Sequence, residues 1–407
     1  GKNALDANTS GSNNIAIGEG ALGANTTNTT NLAIGTSALL ANNAAGDNLA
    51  IGHTAASTNT SGYHLTAVGH YALVANESAQ GNTAVGHSAL RAATTGASNT
   101  GIGKHALCKL TTGANNAAVG YAALCTATTS YDSVALGGEA LTLTTTGHTN
   151  TAIGRQAMCK NTEGANNVAV GAFALCANTT ASDNTAVGKG ALLENTTGTR
   201  NTAVGKDSLD ANTDGNDNTA IGRTSLSSNT TGDDNAALGV GALQSNTTGL
   251  CNTAIGTQAM ISSLTGDGNV AVGYKALYTN NGSTPDFNVA IGRQSLCKNT
   301  TGYRNVGSGL NSLFSNTTGH SNVASGDAAL YSNTTGSNNT GLGKDSLINA
   351  TTGSANVAIG VCAGSDASMI NITTESNRFI AGHNDITNSY VKVDWTVTSD
   401  LRDKTEI

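Results

Sequence analysis

Apolar residues occur along this chain in short pulses separated by polar stretches, and the pulses return every 17 residues. Each pulse ends on a small residue, an aliphatic residue and a glycine, as in Asn201-Thr-Ala-Val-Gly205-Lys-Asp-Ser-Leu209. The glycine falls at Gly1, Gly18, Gly35, Gly52, Gly69 and Gly86 and keeps its spacing through Gly273. One step of 19 leads to Gly292, and the 17-residue step resumes through Gly309, Gly326, Gly343 and Gly360. A fixed period over 22 copies predicts a solenoid and argues against a globular domain.

With that glycine as position 0, the other positions acquire fixed character. Position −2 is always Ala or Gly, and position −1 is Val, Ile or Leu except at Ser308 and Ser325. Position +3 is always Ala or Ser, and position +4 is Leu except at Ala56, Met158, Met260 and Gly364. Position −4 is Asn in 19 of 21 cases, Leu65 and Ser133 being the departures. Val and Ile favour strands. The loop that follows is often Asn-Thr-Thr-Gly, as at 195–198, 229–232 and 333–336, and those residues form turns. Seventeen residues are too few for two helices and their connections. Each repeat therefore predicts one coil of a parallel β-roll or β-solenoid: a short strand, a turn, a second short segment and a loop.

Stacked coils lie about 4.8 Å apart, so the array predicts a rod on the order of 100 Å long. The −1 aliphatic column and the +4 leucines are expected to point inward as ladders. The Asn column is expected to form a hydrogen-bonded amide ladder. The small positions imply close backbone approach, inside a coil or between chains. The two-residue insertion around 281–286 carries the only proline, Pro285, and predicts an extended loop.

Composition supports a thin core. Aromatic residues are 3% and charged residues 11% of the 407, against about 25% charged in an ordinary soluble domain. A net charge of −7 provides no general basic surface for nucleic acid. No apolar run approaches the ~20 residues of a membrane helix, and there is no signal-peptide pattern. Because the first residue is already a repeat glycine, a preceding portion of the rod is expected to be missing or cleaved.

The Asn-Thr-Ala-Val-Gly unit resembles the head repeats of trimeric autotransporter adhesins, whose consensus runs roughly Asn-Ser-Val-Ala-Ile-Gly. The likeness covers residues 1–364 and implies a parallel β-roll with three chains side by side. Here the period is longer and the Asn sits one residue closer to the glycine, departures that bear on the turn geometry. Near the C-terminus, Tyr390-Val-Lys-Val-Asp-Trp-Thr-Val397 alternates strictly and predicts a half-buried strand. It leads into Ser399-Asp-Leu-Arg-Asp-Lys404, which is similar to the start of the intramolecular chaperone domain of endosialidases and phage tail fibres. That resemblance implies trimerisation driven by the chaperone, then self-cleavage beside Ser399 as nucleophile with Lys404 as base. A lysine of lowered pKa can deprotonate a serine hydroxyl. Such cleavage is maturation chemistry only, and with the rest of the chaperone absent after Ile407 either a trimmed fragment or cleavage elsewhere is expected. The domains expected are a shaft over 1–364, a β-rich neck over 365–398 and the chaperone start over 399–407.

Seven cysteines occur, and Cys108, Cys125, Cys159, Cys176 and Cys297 share position +5. Cys108 and Cys125 fall on neighbouring coils, as do Cys159 and Cys176. Directly stacked strands offer poor disulfide geometry and seven is odd, so free, half-buried thiols are expected, as for assembly in a reducing cytoplasm. His53, His70 and His87 share position +1 on successive coils and are weak metal candidates. The same position elsewhere carries Lys2, Lys104, Arg155, Lys189, Lys206, Arg223, Arg293 and Lys344, so it reads first as an exposed basic stripe. Acidic residues gather at −5 and −6, including Asp47, Asp183, Asp217 and Asp286, and are expected to pair between coils or chains.

No paired catalytic carboxylates, phosphate loop or zinc spacing is found, so neither an enzyme nor a cofactor is expected. The leading expectation is a structural and adhesive fibre: a homotrimeric phage tail-fibre shaft in the virion, assembled in the host cytoplasm. Its partners would be other tail proteins and a host-surface glycan or protein receptor, with no nucleic acid and no membrane insertion. The alternative is a trimeric adhesin or extracellular filament on a bacterial surface. An ice-binding solenoid is disfavoured because position −3 varies among Thr, Val, Ala, Leu and Ile.

Overall fold

The computed structural model describes residues 1–280, 286–366 and 370–383. It is all-β, a solenoid built around one long parallel sheet of 22 strands. The first strand, β1, is Ile15–Ile17 and the second, β2, is Leu32–Ile34; they pair in parallel with Ala16 opposite Ala33. Each later coil repeats that register, so Thr202, Ala203 and Val204 lie opposite Thr219, Ala220 and Ile221. The register holds across the 19-residue step, with Val270 opposite Val289. The strand residues supply only part of the ladder. Turns also bond coil to coil, as in Leu209 N to Ser225 O at 3.0 Å and Thr213 N to Thr230 O at 2.9 Å. Most backbone amides of a coil thereby bond to neighbouring coils, as a thin fold requires.

The motif glycine is fixed by two constraints at once. Gly205 has φ of 138°, a region L-residues avoid. A methyl on its Cα would also meet the carbonyl oxygen of Gly222, one coil on, at 2.5 Å. The +4 leucines take the left-handed conformation as well, with φ near 50°, as at Leu209 with 52°. Such a conformation is costly for leucine. Complete burial of the side chain offsets that cost, since Leu209, Leu226 and Leu243 are all inaccessible to solvent.

The core comprises the −2 alanines, the +3 Ala or Ser and the +4 Leu or Met. Here one expectation is corrected. The −1 aliphatic side chains do not point inward with the leucines. From β2 to the strand β21 (Val357–Ile359), the −2 residue of each strand is buried and the −1 residue is half-buried or exposed. The reason is volume. At Gly101, a −2 position, an added Cβ would already stand 3.3 Å from Cγ of Leu90, the leucine of the preceding coil. Leucine fills the interior from the opposite wall, leaving room for a methyl group at most. Close approach therefore occurs between adjacent coils of the same chain, and the larger aliphatic neighbour is turned outward.

The sheet continues past 364. A short antiparallel hairpin of β22 (Ser365–Asp366) and β23 (Ile370–Asn371) is followed by β24 (Phe379–Ala381), which pairs in parallel with β21. This last coil is 22 residues long and keeps the strand register, with Asn356 Oδ1 accepting from the Arg378 amide at 3.0 Å, although Arg378 replaces the −4 Asn and Ile380 the small −2 residue.

Candidate interaction face

Two asparagine ladders hold the loops in place. The first is the expected −4 column. Asn201 Oδ1 accepts from the Asn218 amide at 3.0 Å and from Asn218 Nδ2 at 3.2 Å, while its own Nδ2 donates to Gly215 O at 2.8 Å. The second lies at +7, the Asn of Asn-Thr-Thr-Gly, which sequence reasoning treated only as a turn former. Asn212 Nδ2 donates to Asn195 Oδ1 at 2.8 Å and to Gly215 O at 2.9 Å, and both side chains are buried. A third column follows at +8, where Thr213 Oγ1 donates to Thr230 O at 3.1 Å. The recurrence of Asn-Thr-Thr-Gly itself carried the signal for these columns.

With loops and core locked, the outward side of the sheet stands out. Position −1 forms a column of Val, Ile and Leu broken at Ser308 and Ser325, and −3 adjoins it with Thr, Val, Ala, Leu and Ile. Ile153, Ile221, Leu238, Ile255 and Ile291 are 38–46% exposed, and Ile17 is 57% exposed. A three-residue strand is roughly 10 Å wide, and 22 of them stack over about 100 Å, giving a footprint on the order of 1000 Å². The variation at −3 that disfavours an ice face thus lies on this outward sheet.

The loops present a different surface. Position +9 is an exposed column of hydroxyls, among them Thr95, Thr112, Thr129, Thr197, Thr231, Thr318 and Thr335. It is one residue wide, flanked by the half-buried +8 threonines.

The structure places His53, His70 and His87 in one surface stack. Nε2 of His70 and Nδ1 of His53 are 3.1 Å apart, and the ring centroids of His70 and His87 are 5.4 Å apart. Tyr71 and His105 extend the cluster. Desolvation, then the neighbouring His53 and His87, lowers the His70 pKa. The two nearest imidazoles share a hydrogen bond, which commits those nitrogens to each other. Among the described residues no group of three His, Cys, Asp or Glu is arranged to hold a metal ion.

The charges pair locally. Arg200 and Asp217, both at −5 on successive coils, form a two-point pair at 2.7 and 2.8 Å. That hydrogen bonding lowers the Asp217 pKa. Two members of the basic column pair instead with the residue beside them, Lys206 with Asp207 at 3.2 Å and Lys344 with Asp345 at 3.7 Å. In the inserted coil Asp286 takes over a carbonyl's role. Its Oδ2 accepts from Asn280 Nδ2 at 2.7 Å and from Asn269 Nδ2 at 3.5 Å, and burial raises its pKa.

All seven cysteines are free thiols; Cys108, Cys125, Cys159 and Cys176 are half-buried and Cys297 is buried. Ser399, Lys404 and the alternating segment 390–397 lie outside the described residues. Among the described residues no helix is long and apolar enough to cross a membrane. No protein-family model matches the chain, and no curated protein matches it either.

Proposed function

We propose that this chain is the structural shaft of an adhesive fibre, a homotrimeric phage tail-fibre segment whose outer columns meet the host surface. The observation that carries the reading is the outward sheet face on one side of the rod, where −1 is aliphatic in 19 of 21 coils. A footprint on the order of 1000 Å² exceeds the ~800 Å² per partner of a standard stable interface. Covering it with equivalent faces of two further copies buries the aliphatic column around a common axis and leaves the +9 hydroxyls and the +1 basic residues outside. The C-terminal Ser-Asp-Leu-Arg-Asp-Lys motif supports the phage assignment by its resemblance to a trimerising chaperone. The fibre acts by reach and repetition, placing weak polar contacts at coil-to-coil intervals along its length, so that avidity replaces a single tight site. Sedimentation equilibrium on the full chain tests the assembly, the reading requiring three times the 40.4 kDa chain mass. A monomer at micromolar concentration refutes it.

A further inference from the structure

The +5 cysteines occur as two copies of one arrangement. Cys108 is followed by Lys109 and faces Cys125 on the next coil; Cys159 is followed by Lys160 and faces Cys176. The Sγ atoms of Cys108 and Cys125 are 2.7 Å apart, closer than unbonded sulfurs pack. Cys159 Sγ lies 3.7 Å from the Cys176 carbonyl oxygen, and the two thiols share a hydrogen bond. The coil spacing of about 4.8 Å falls inside the 4.4–6.8 Å Cα range of disulfides. The stacking that sequence reasoning held against a disulfide therefore permits one.

We infer that Cys108–Cys125 and Cys159–Cys176 are two cross-linking sites that close to disulfides on meeting a small-molecule disulfide, stapling neighbouring coils of one chain. In each pair one sulfur is prepared to attack. The hydrogen bond from Cys108, aided by the Lys109 ammonium, holds the Cys125 thiol down to about 7. Cys176 is held down to about 7 in the same way by Cys159 and Lys160. The same hydrogen bonds and burial push Cys108 and Cys159 up. The Cys125 thiolate attacks one sulfur of the oxidant, whose S–S bond breaks and releases a thiolate that takes up a proton. Cys108 then gives its proton to solvent and attacks Cys125 Sγ, expelling the second thiolate. The protein loses two protons and two electrons, and the oxidant becomes two thiols. Cys297 also precedes a lysine, Lys298, but its +5 neighbours are Tyr278 and Phe314, so it serves as an internal control.

The test uses the full chain carrying Cys251→Ser, which removes the exposed thiol. It is oxidised with glutathione disulfide, alkylated and digested with trypsin without reduction. The expected products are peptide 105–109 joined to 110–155 and peptide 156–160 joined to 161–189, with Cys297 alkylated. On a non-reducing denaturing gel the chain keeps the mobility of a single polypeptide. Adding Cys125→Ser abolishes the first linkage and leaves the second. The inference is overturned if both pairs remain alkylated after oxidation, if the linked peptides are other combinations, or if the cross-links join separate chains.

Discussion

Replacing Asn201 with alanine cuts one rung of the −4 ladder, and the surrounding bonds set the size of the effect. The amide of Asn218 loses its acceptor, Asn201 Oδ1, in a position that is 1% exposed. An orphaned buried donor costs about 1–3 kcal/mol. Gly215 O also loses a donor, but it keeps Asn212 Nδ2 at 2.9 Å and is not orphaned. That second loss is worth about 1 kcal/mol, the net value of an ordinary hydrogen bond. The coil should therefore be destabilised by about 2–4 kcal/mol, the larger share concentrated at one amide.

Hydrogen exchange reads that amide directly. Protection at Asn218 should fall by about ten- to a hundredfold, since each 1.4 kcal/mol is tenfold. The Asn339 amide, bonded to Asn322 Oδ1 at 2.9 Å many coils away, should keep its protection, because repeats contact only their neighbours. Leu65→Asn is the reciprocal change. It places an amide in the one coil where a buried leucine interrupts the column, beside the Ala79 carbonyl that Asn76 already contacts. It should leave stability unchanged or raise it by about 1 kcal/mol. Asn218 protection within twofold of the native value in Asn201→Ala would refute the reasoning, since the ladder would then merely ride on the sheet.

Gly205→Ala should lower stability by roughly 3 kcal/mol or more through overlap with Gly222 O and an unfavourable φ, whereas Gly138→Ala, whose methyl meets nothing within 4 Å, should leave the melting temperature nearly unchanged. Val204→Lys combined with Ile255→Lys should keep the β circular-dichroism signal but sediment as a single chain, while Thr231→Lys on the loop face should leave assembly intact; equal assembly in both variants counts against the sheet face as the interface. Asp286 carries a pKa raised in the folded state, chiefly by burial. Its native form therefore holds the proton more tightly than the unfolded chain. Stability falls as pH rises from the unfolded pKa through the folded one. Urea midpoints for Asp286→Asn should lose that part of the pH dependence.

Much of this architecture was legible because the repeat supplies a coordinate for every residue. The glycine, the −4 asparagines and the +4 leucines each stand where the sequence placed them: at a strained close approach, in a buried amide ladder and in the core. The +7 ladder was less legible, because an asparagine in a turn and an asparagine in a ladder look alike in sequence. What separates them is the neighbour one coil away, seen only once Asn195 and Asn212 are stacked. The paired cysteines were visible as a register, but their fitness for a bond depended on two sulfur positions no spacing rule contains.

The phase of the strand shows why hydrophobicity alone misleads. In Thr202-Ala203-Val204 the period-2 rule allows either the alanine or its two neighbours to face inward. Ranking by apolar area picks the valine. The interior picks the alanine, because the leucine of the adjoining coil occupies the volume a valine would need. A sequence that only had to fold as a single rod would meet water with Thr or Ser at −1, as it does at Ser308 and Ser325. Aliphatic residues hold that outward position in 19 of its 21 occurrences. The inward requirement is already met by the small residues at −2, so the aliphatic column answers a second demand, directed outward. A surface that is apolar by rule and polar by exception is the face the proposed assembly would cover, and a lysine there tests the fold and the assembly separately.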